Sequence, residues 1–323
     1  MFLFVAIITM RTYIRKGGMY MIYDYQDDDF IIDFDKFNME VHSIIKKTGC
    51  PYCRNQNISK YGYTSQGRKR YICKSCGRTF SETTGTPIYN SKKAINKWIE
   101  YIECMSKSDT LREISSKLKI SLTTAFQWRH KILHAVKSKV LNVEFCNEVE
   151  IGETVMEKNY KGNHHGKLDY KDDNNEIRIL SCVDNNSRMV MGIDEPFIRK
   201  TNLDHVLKGK IKINSIITTA RNMSYVQFAR ENSLKMNMAQ GRRFSIYSHL
   251  DNKKAVMQGR SFINFTKSFC GVATRYINFY SILYVIKLIN NDCCKGIFEN
   301  LYKNFFISND MMRERDFDSI KLV

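Results

Sequence analysis

Two cysteine pairs constrain this chain more than any other feature. Cys50 and Cys53 form one C-x-x-C, Cys73 and Cys76 form a second, and nineteen residues separate them. Each pair presents two thiolates to one ion, and the segment between folds back as a hairpin. Four thiolates fill the tetrahedral shell of Zn²⁺ and leave no open position, so the spacing predicts a structural site rather than redox chemistry. Gly49 and Gly77 flank the pairs, where tight knuckle turns need them. Residues 46–90 are otherwise rich in Gly and basic side chains and poor in apolar ones, so such a segment needs a staple to fold. The remaining cysteines, Cys104, Cys146, Cys182, Cys270, Cys293 and Cys294, are scattered through apolar surroundings. That distribution suits a reducing compartment and not a disulfide framework, which points to the cytoplasm, or to the nucleus in a eukaryotic host.

Charge narrows the partners. Fifty-one Lys and Arg against 33 Asp and Glu leave the chain at +18. Such an excess concentrates polyanions, either nucleic acid or an anionic membrane. No apolar run reaches the ~18–20 residues of a spanning helix, so a membrane-spanning role is not expected; nucleic acid is the expected partner and a membrane is not. The opening MFLFVAIITM has an apolar run but no basic segment before it and no small-residue cleavage site. It reads as an edge strand, or as an extension upstream of a start at Met19 or Met21. Within the ribbon segment, Arg68, Lys69, Arg70, Lys74 and Arg78 alternate with tyrosines. These are side chains that neutralise phosphates, hydrogen-bond them or stack on bases.

The 323 residues favour more than one domain, and 43% hydrophobic content suffices for a sizeable core. Residues 1–45 form a variable lead-in, and 46–90 form the ribbon. Residues 91–138 predict three helices. Ser91 is expected to cap the first, whose stripe is Ile95, Trp98, Ile99, Ile102 and Met105. Thr110 and Glu113 form a capping-box pattern for the second, and Ser121 caps the third. Only about three residues, Lys119–Ile120–Ser121, join the last two helices, which suits a helix-turn-helix. On the third helix, Thr123, Thr124, Gln127, His130, Lys131 and His134 fall opposite the apolar stripe. They are side-chain types that read a major groove, and double-stranded DNA is the expected partner. An ordinary three-helix bundle gives the same pattern; the ribbon and the charge favour DNA. Arg129 falls near the apolar stripe, where spacing offers no account of it.

From residue 147 the character changes. EVEIGETV, IRILSCVD, SRMVMGI and SIITTA are short β-rich runs, followed by helical patterns over 222–234 and 250–290. Residues 291–323 read as a tail of unclear role.

CPYC, CKSCGRTFSETTGTP and LREISSKLKISLTTAFQWRHKIL closely resemble the amino-terminal half of bacterial insertion-sequence transposases that carry a zinc ribbon and a DDE-type nuclease domain. The likeness resumes at EIGET, YKGNH and GVATRYINFY and covers roughly residues 46–285. The resemblance implies a multidomain α+β and α/β chain: zinc ribbon (46–90), helical helix-turn-helix region (91–138), and RNase H-like mixed sheet with flanking helices (147–290). It also implies self-association on DNA ends. The family's chemistry is phosphoryl transfer with two metal ions, normally Mg²⁺, held by two aspartates and a third Glu or Asn.

This chain departs at all three positions. Its EIGET places Gly152 where the family has the first aspartate, SIITTARNMSY places Ala220 at the second, and YSHLDNKKAV places Lys254 at the third. Gly and Ala offer no ligand oxygen, and Lys repels a divalent ion. The expectation is a DNA-binding protein of transposase descent without its chemistry. Two alternatives stand beside it. One is an active transposase that uses displaced carboxylates from Glu150, Asp184 and Asp251, the only case in which Mg²⁺ is required. The other is a zinc-ribbon module for protein partners or transcriptional regulation.

Overall fold

The computed structural model describes residues 9–15, 18–24, 34–45, 49–65, 67–159, 176–185, 189–194, 198–238, 253–269, 271–310 and 312. The protein is mixed α/β. In the lead-in, β1 (Thr9–Arg15) and β2 (Gly18–Asp24) pair antiparallel, and α1 (Phe34–Ile45) follows. Three strands, β3 (Ile58–Tyr63), β4 (Lys69–Cys73) and β5 (Thr79–Ser81), make an antiparallel sheet in the order β3-β4-β5. Among the described residues its core is Cys50, Cys73 and Phe80 with Ile58 and Tyr71 against them. That is too little apolar area to fix a fold without a cross-link.

Three helices come next: α2 (Ile95–Ser106), α3 (Leu111–Leu118) and α4 (Leu122–Leu141). Both halves of the Thr110–Glu113 capping box form, and the Ser121 side chain accepts from the Thr124 amide. Lys119 adopts a left-handed conformation at φ 51°, and this turns the chain from α3 into α4. Ser91 does not cap α2. The N-cap is Ala94, and the Ser91 hydroxyl accepts instead from the Trp98 indole at 3.1 Å.

A five-stranded sheet follows. It comprises β6 (Glu148–Glu157), β7 (Glu176–Asp184), β8 (Met189–Asp194), β9 (Ile216–Thr219) and β10 (Lys235–Met238), ordered β10-β9-β6-β7-β8. The first three form an antiparallel meander, whereas β9 and β10 run parallel to β6. Parallel neighbours need crossovers. These are α5 (Lys200–Leu207) before β9 and α6 (Met223–Glu231) between β9 and β10. Alternation along the strands serves two cores. Val149, Ile151, Leu180, Cys182 and Ile217 face α5 and α6, meeting Leu203, Leu207, Tyr225 and Phe228. Ile177, Ile179, Val183, Met189 and Met191 belong to the larger opposite core.

That larger core is continuous. It takes in α2, α3 and α4, then α7 (Lys253–Lys267), α8 (Ile277–Ile289) and α9 (Cys294–Ile307). The segment read as a tail therefore contributes a core helix, with Ile297, Phe298, Leu301, Tyr302, Phe305 and Phe306 all buried. Trp98 stacks on Phe305 at 5.4 Å, and the Tyr302 hydroxyl donates to the Phe37 carbonyl of α1 at 2.8 Å. Helices α1 and α9 meet there. The periodicity of α9 is clear in retrospect, but no cap residue or motif announces it.

Candidate metal centre and nucleic-acid interface

The cysteine pairs converge. Among the described residues, Cys50, Cys53, Cys73 and Cys76 place their sulfurs within 4.8 Å of one another. Cys50 and Cys76 lie 3.6 Å apart, as do Cys53 and Cys73. A tetrahedron with ~2.3 Å Zn–S bonds has edges of ~3.8 Å, so four thiolates in this arrangement can hold a metal ion and fit a structural zinc site. The knuckles explain why. The Arg54 amide donates to the Cys50 carbonyl and the Gly77 amide to the Cys73 carbonyl, each at 2.9 Å. The residue after each pair is left-handed, Arg54 at φ 62° and Gly77 at φ 68°. Gly77 thus plays the expected part. Gly49 plays another: a side chain there would press on the Asn55 carbonyl at 3.3 Å. Backbone amides of Cys76 and Ser75 aimed at the Cys73 sulfur lower its pKa to about 6, whereas burial and the three neighbouring thiols push Cys53 up to about 12.

Around the sulfurs, Lys69, Lys74 and Arg78 are exposed and Arg70 is half-buried. Arg70 lies over the Tyr61 ring at 5.5 Å and Arg78 over Tyr52 at 5.2 Å. Arg68 is different. It is 8% exposed, and its guanidinium donates to the Lys93 carbonyl at 2.9 Å. It ties the ribbon to the segment before α2 and does not face solvent.

On α4, Thr123 is exposed, and Thr124, Gln127 and Lys131 are half-buried. His130 and His134 turn inward, His130 with no exposed surface. The 3.6-residue periodicity places them opposite the apolar stripe, but α8 packs on that side too. His130 lies against Tyr276 at 5.0 Å and Phe279 at 4.8 Å. Arg129 now has an account: it donates to the Asp109 carbonyl at 2.6 Å and lies over Phe269 at 5.1 Å. A buried cation held by a carbonyl and aromatic faces fastens the α3 entry to the sheet-side helices. No sequence pattern could have revealed its partner, which is 140 residues away.

Gly152, Ala220 and Lys254, the three positions singled out in the sequence, lie on or beside three adjoining elements. Gly152 is in the middle of β6, Ala220 directly follows β9, and Lys254 is in the first turn of α7. Thr218 pairs with Glu150 across β6 and β9. A Cβ on Gly152 would meet the Val256 amide nitrogen at 2.8 Å and the Ala255 carbonyl carbon at 3.0 Å, so α7 sits directly on the strand. Farther along α7, a side chain on Gly259 would strike Thr154. The Glu150 carboxylate accepts from the amides of Lys254 at 2.8 Å and Ala255 at 3.3 Å. Asp184 pairs with Val149, so it lies on the opposite face from Glu150 and is 3% exposed. It cannot join Glu150 around one ion. Asp251 lies outside the described residues, as does the YKGNH segment. Glu153, on that same far face, accepts from the Tyr225 hydroxyl at 2.6 Å and pairs with Arg178 at 2.9 Å.

No protein-family model matches the chain. Over 114 residues, 35% of its length, the chain is 30% identical to an uncharacterized protein in transposable element ISH50 of Halobacterium salinarum. The matched stretch covers 38% of that relative. The likeness points to an insertion-sequence-related protein. Among the described residues, no helix is long and apolar enough to cross a membrane.

Proposed function

We propose that this is a DNA-binding protein of transposase descent that holds a structural Zn²⁺ and no longer cuts DNA. The observation that carries it is the closure of the site by α7. Gly152 lies within van der Waals contact of the helix backbone, and Glu150, two residues along the same face of β6, is engaged in capping the same helix. The sheet order supports an RNase H-like domain, with an antiparallel meander and two parallel strands added beside its first strand. On that fold the positions of Gly152, Ala220 and Lys254 would carry the metal-binding acids. These residues do not fit a two-ion Mg²⁺ centre: two have no oxygen ligand in the side chain, and the third is a cation.

Binding falls to the ribbon and to the α3–α4 helix-turn-helix. The contact set is Lys69, Arg70, Lys74, Arg78, Thr123, Thr124, Gln127 and Lys131. Arg68 and His130 leave it because they are buried. In this arrangement Zn²⁺ fixes the ribbon's shape, and the basic side chains neutralise phosphates. Titrating the zinc-loaded protein with duplex DNA at several salt concentrations tests the reading. The expected result is an affinity that falls steeply with salt, each phosphate contact adding ~0.9 to the slope. A protein that binds no duplex at 50 mM salt but captures a protein partner through the ribbon would instead be an interaction module.

A further inference from the structure

We infer that the end of the ribbon hairpin, around Tyr61 and Tyr63, binds an unpaired stretch of a DNA strand by stacking bases on those two rings. The inference rests on the DNA-binding reading above and narrows the ribbon's share of it to bases that are not stacked in a duplex.

Aromatic rings are distributed unevenly over the surface. Among the residues whose side chains are described, the exposed aromatics are Tyr52, Tyr61, Tyr63 and Tyr89, and all four lie between residues 49 and 89. Large apolar side chains exposed elsewhere, such as Leu122, Ile213, Met223 and Met257, are aliphatic. Tyr52 still meets Phe80 edge to face at 6.4 Å. Tyr61 and Tyr63 are 52% and 67% exposed, and both sit on β3, an edge strand of its sheet. The β3–β4 ladder slips between Lys60 and Tyr63, so Tyr61 and Gly62 together stand opposite Arg70. Gly62 takes a left-handed conformation there, at φ 81°. A bulge of this kind re-aims side chains at a sheet edge. The two tyrosines are at most ~7 Å apart along the chain, within reach of neighbouring nucleotides.

Each ring also has a cation beside it. The Arg70 guanidinium lies over Tyr61 at 5.5 Å, and Lys69 is the cross-strand partner of Tyr63. From Gly49 to Ser81 the sequence has seven Lys and Arg and no Asp or Glu. Four thiolates around one Zn²⁺ leave a net charge of about −2, which offsets only part of that excess. Cations alone serve a duplex, whose phosphates face outward. An exposed ring gains little from a duplex, because paired bases cover one another's faces and offer only their edges. A ring flanked by a cation matches a strand whose bases are splayed out: the ring takes the base and the cation takes the adjacent phosphate.

The test compares the zinc-loaded full chain with a Tyr61→Ala/Tyr63→Ala variant on oligo-dT, an abasic strand of equal length and a duplex of equal length. The parent should bind oligo-dT at least about 10-fold tighter than the abasic strand, because only the first offers bases. The variant should lose that difference and keep its affinity for the duplex. Tyr61→Phe/Tyr63→Phe should behave like the parent, since the ring stacks without its hydroxyl. Zinc content should be equal in all of them, because neither ring belongs to the ribbon core. If the double variant fails to hold zinc, Tyr63→Ala alone should weaken oligo-dT binding by about 5-fold or more. Equal parent binding of oligo-dT and the abasic strand, with the duplex bound, overturns this face and leaves the DNA-binding reading standing. No binding of any DNA by the parent overturns both. Equal losses on oligo-dT and duplex in the Ala variant would make the rings duplex contacts, and tighter binding of oligo-rU than of oligo-dT would assign the face to RNA; either result overturns the inference.

Discussion

Glu150 on β6 caps the helix that begins at Lys253: its carboxylate accepts from the Lys254 amide at 2.8 Å and the Ala255 amide at 3.3 Å. An anionic acceptor at a helix N-terminus satisfies orphan donors and complements the helix dipole. It also engages a carboxylate that, among the described residues, lies on the Gly152 face of β6 and could have replaced a lost metal ligand.

Replacing Glu150 with Ala should therefore destabilise the protein by about 1 kcal/mol, in the range of lost N-caps. The check is the urea midpoint, with the slope unchanged. No change in midpoint would mean that the bond contributes nothing to the fold.

Restoring a carboxylate at Gly152 should fail. Gly152→Asp forces a side chain into the Ala255–Val256 backbone, where even a Cβ finds 2.8–3.0 Å. Overpacking of that kind costs about 1–3 kcal/mol. The variant should melt lower than the parent and gain no Mg²⁺-dependent thermal stabilisation. A rise in melting temperature with Mg²⁺ would show that α7 yields and a metal enters.

Zinc removal should act locally. The three-stranded sheet has a core of three buried residues, whereas the helices and the larger sheet share an extensive one. Chelation should make cleavage by trypsin appear within residues 49–81 first, with little loss of helical signal. Cys76→Ser should reproduce this. Global unfolding on chelation would show that the ribbon supports the rest of the chain.

Stability should fall in mild acid because of His130. Burial, with Arg129 adding charge repulsion, lowers its pKa from 6.5 to about 4. Above about pH 6.5 the ring is neutral both folded and unfolded, and no penalty arises. Between there and about pH 4 the unfolded chain takes a proton that the folded one refuses, so stability drops as pH falls, by roughly 3 kcal/mol in full. His130→Phe should flatten that part of the stability–pH curve. A parent curve already flat between pH 6.5 and 4 would contradict the assignment.

The cysteine spacing, the Thr110–Glu113 box and the Ser121 cap were legible because each is a local rule within a few residues. The strands around Gly152 were legible from β-rich runs. What failed was non-local. Helical periodicity marks His130 as a polar-face residue, yet α8, some 150 residues later, covers that face. Arg68 sits in a basic cluster, but the Thr83 hydroxyl in the ribbon and the Lys93 carbonyl before α2 draw it inward. Asp184 looked like a spare ligand until the register with Val149 put it on the far face of the sheet. The short β10 carried no sequence signal strong enough to place it, and α9 had its periodicity but no cap or motif to mark it as a core helix.

The central claim is binding without cleavage. The direct measurement incubates the zinc-loaded protein with its own flanking DNA and Mg²⁺ or Mn²⁺, and reads bound complex, nicked product and strand-transfer product from the same tubes. The account predicts retained complex and no product with either ion. Metal-dependent product that disappears in Glu150→Ala or Asp251→Ala would contradict it and assign a new acidic centre to this fold.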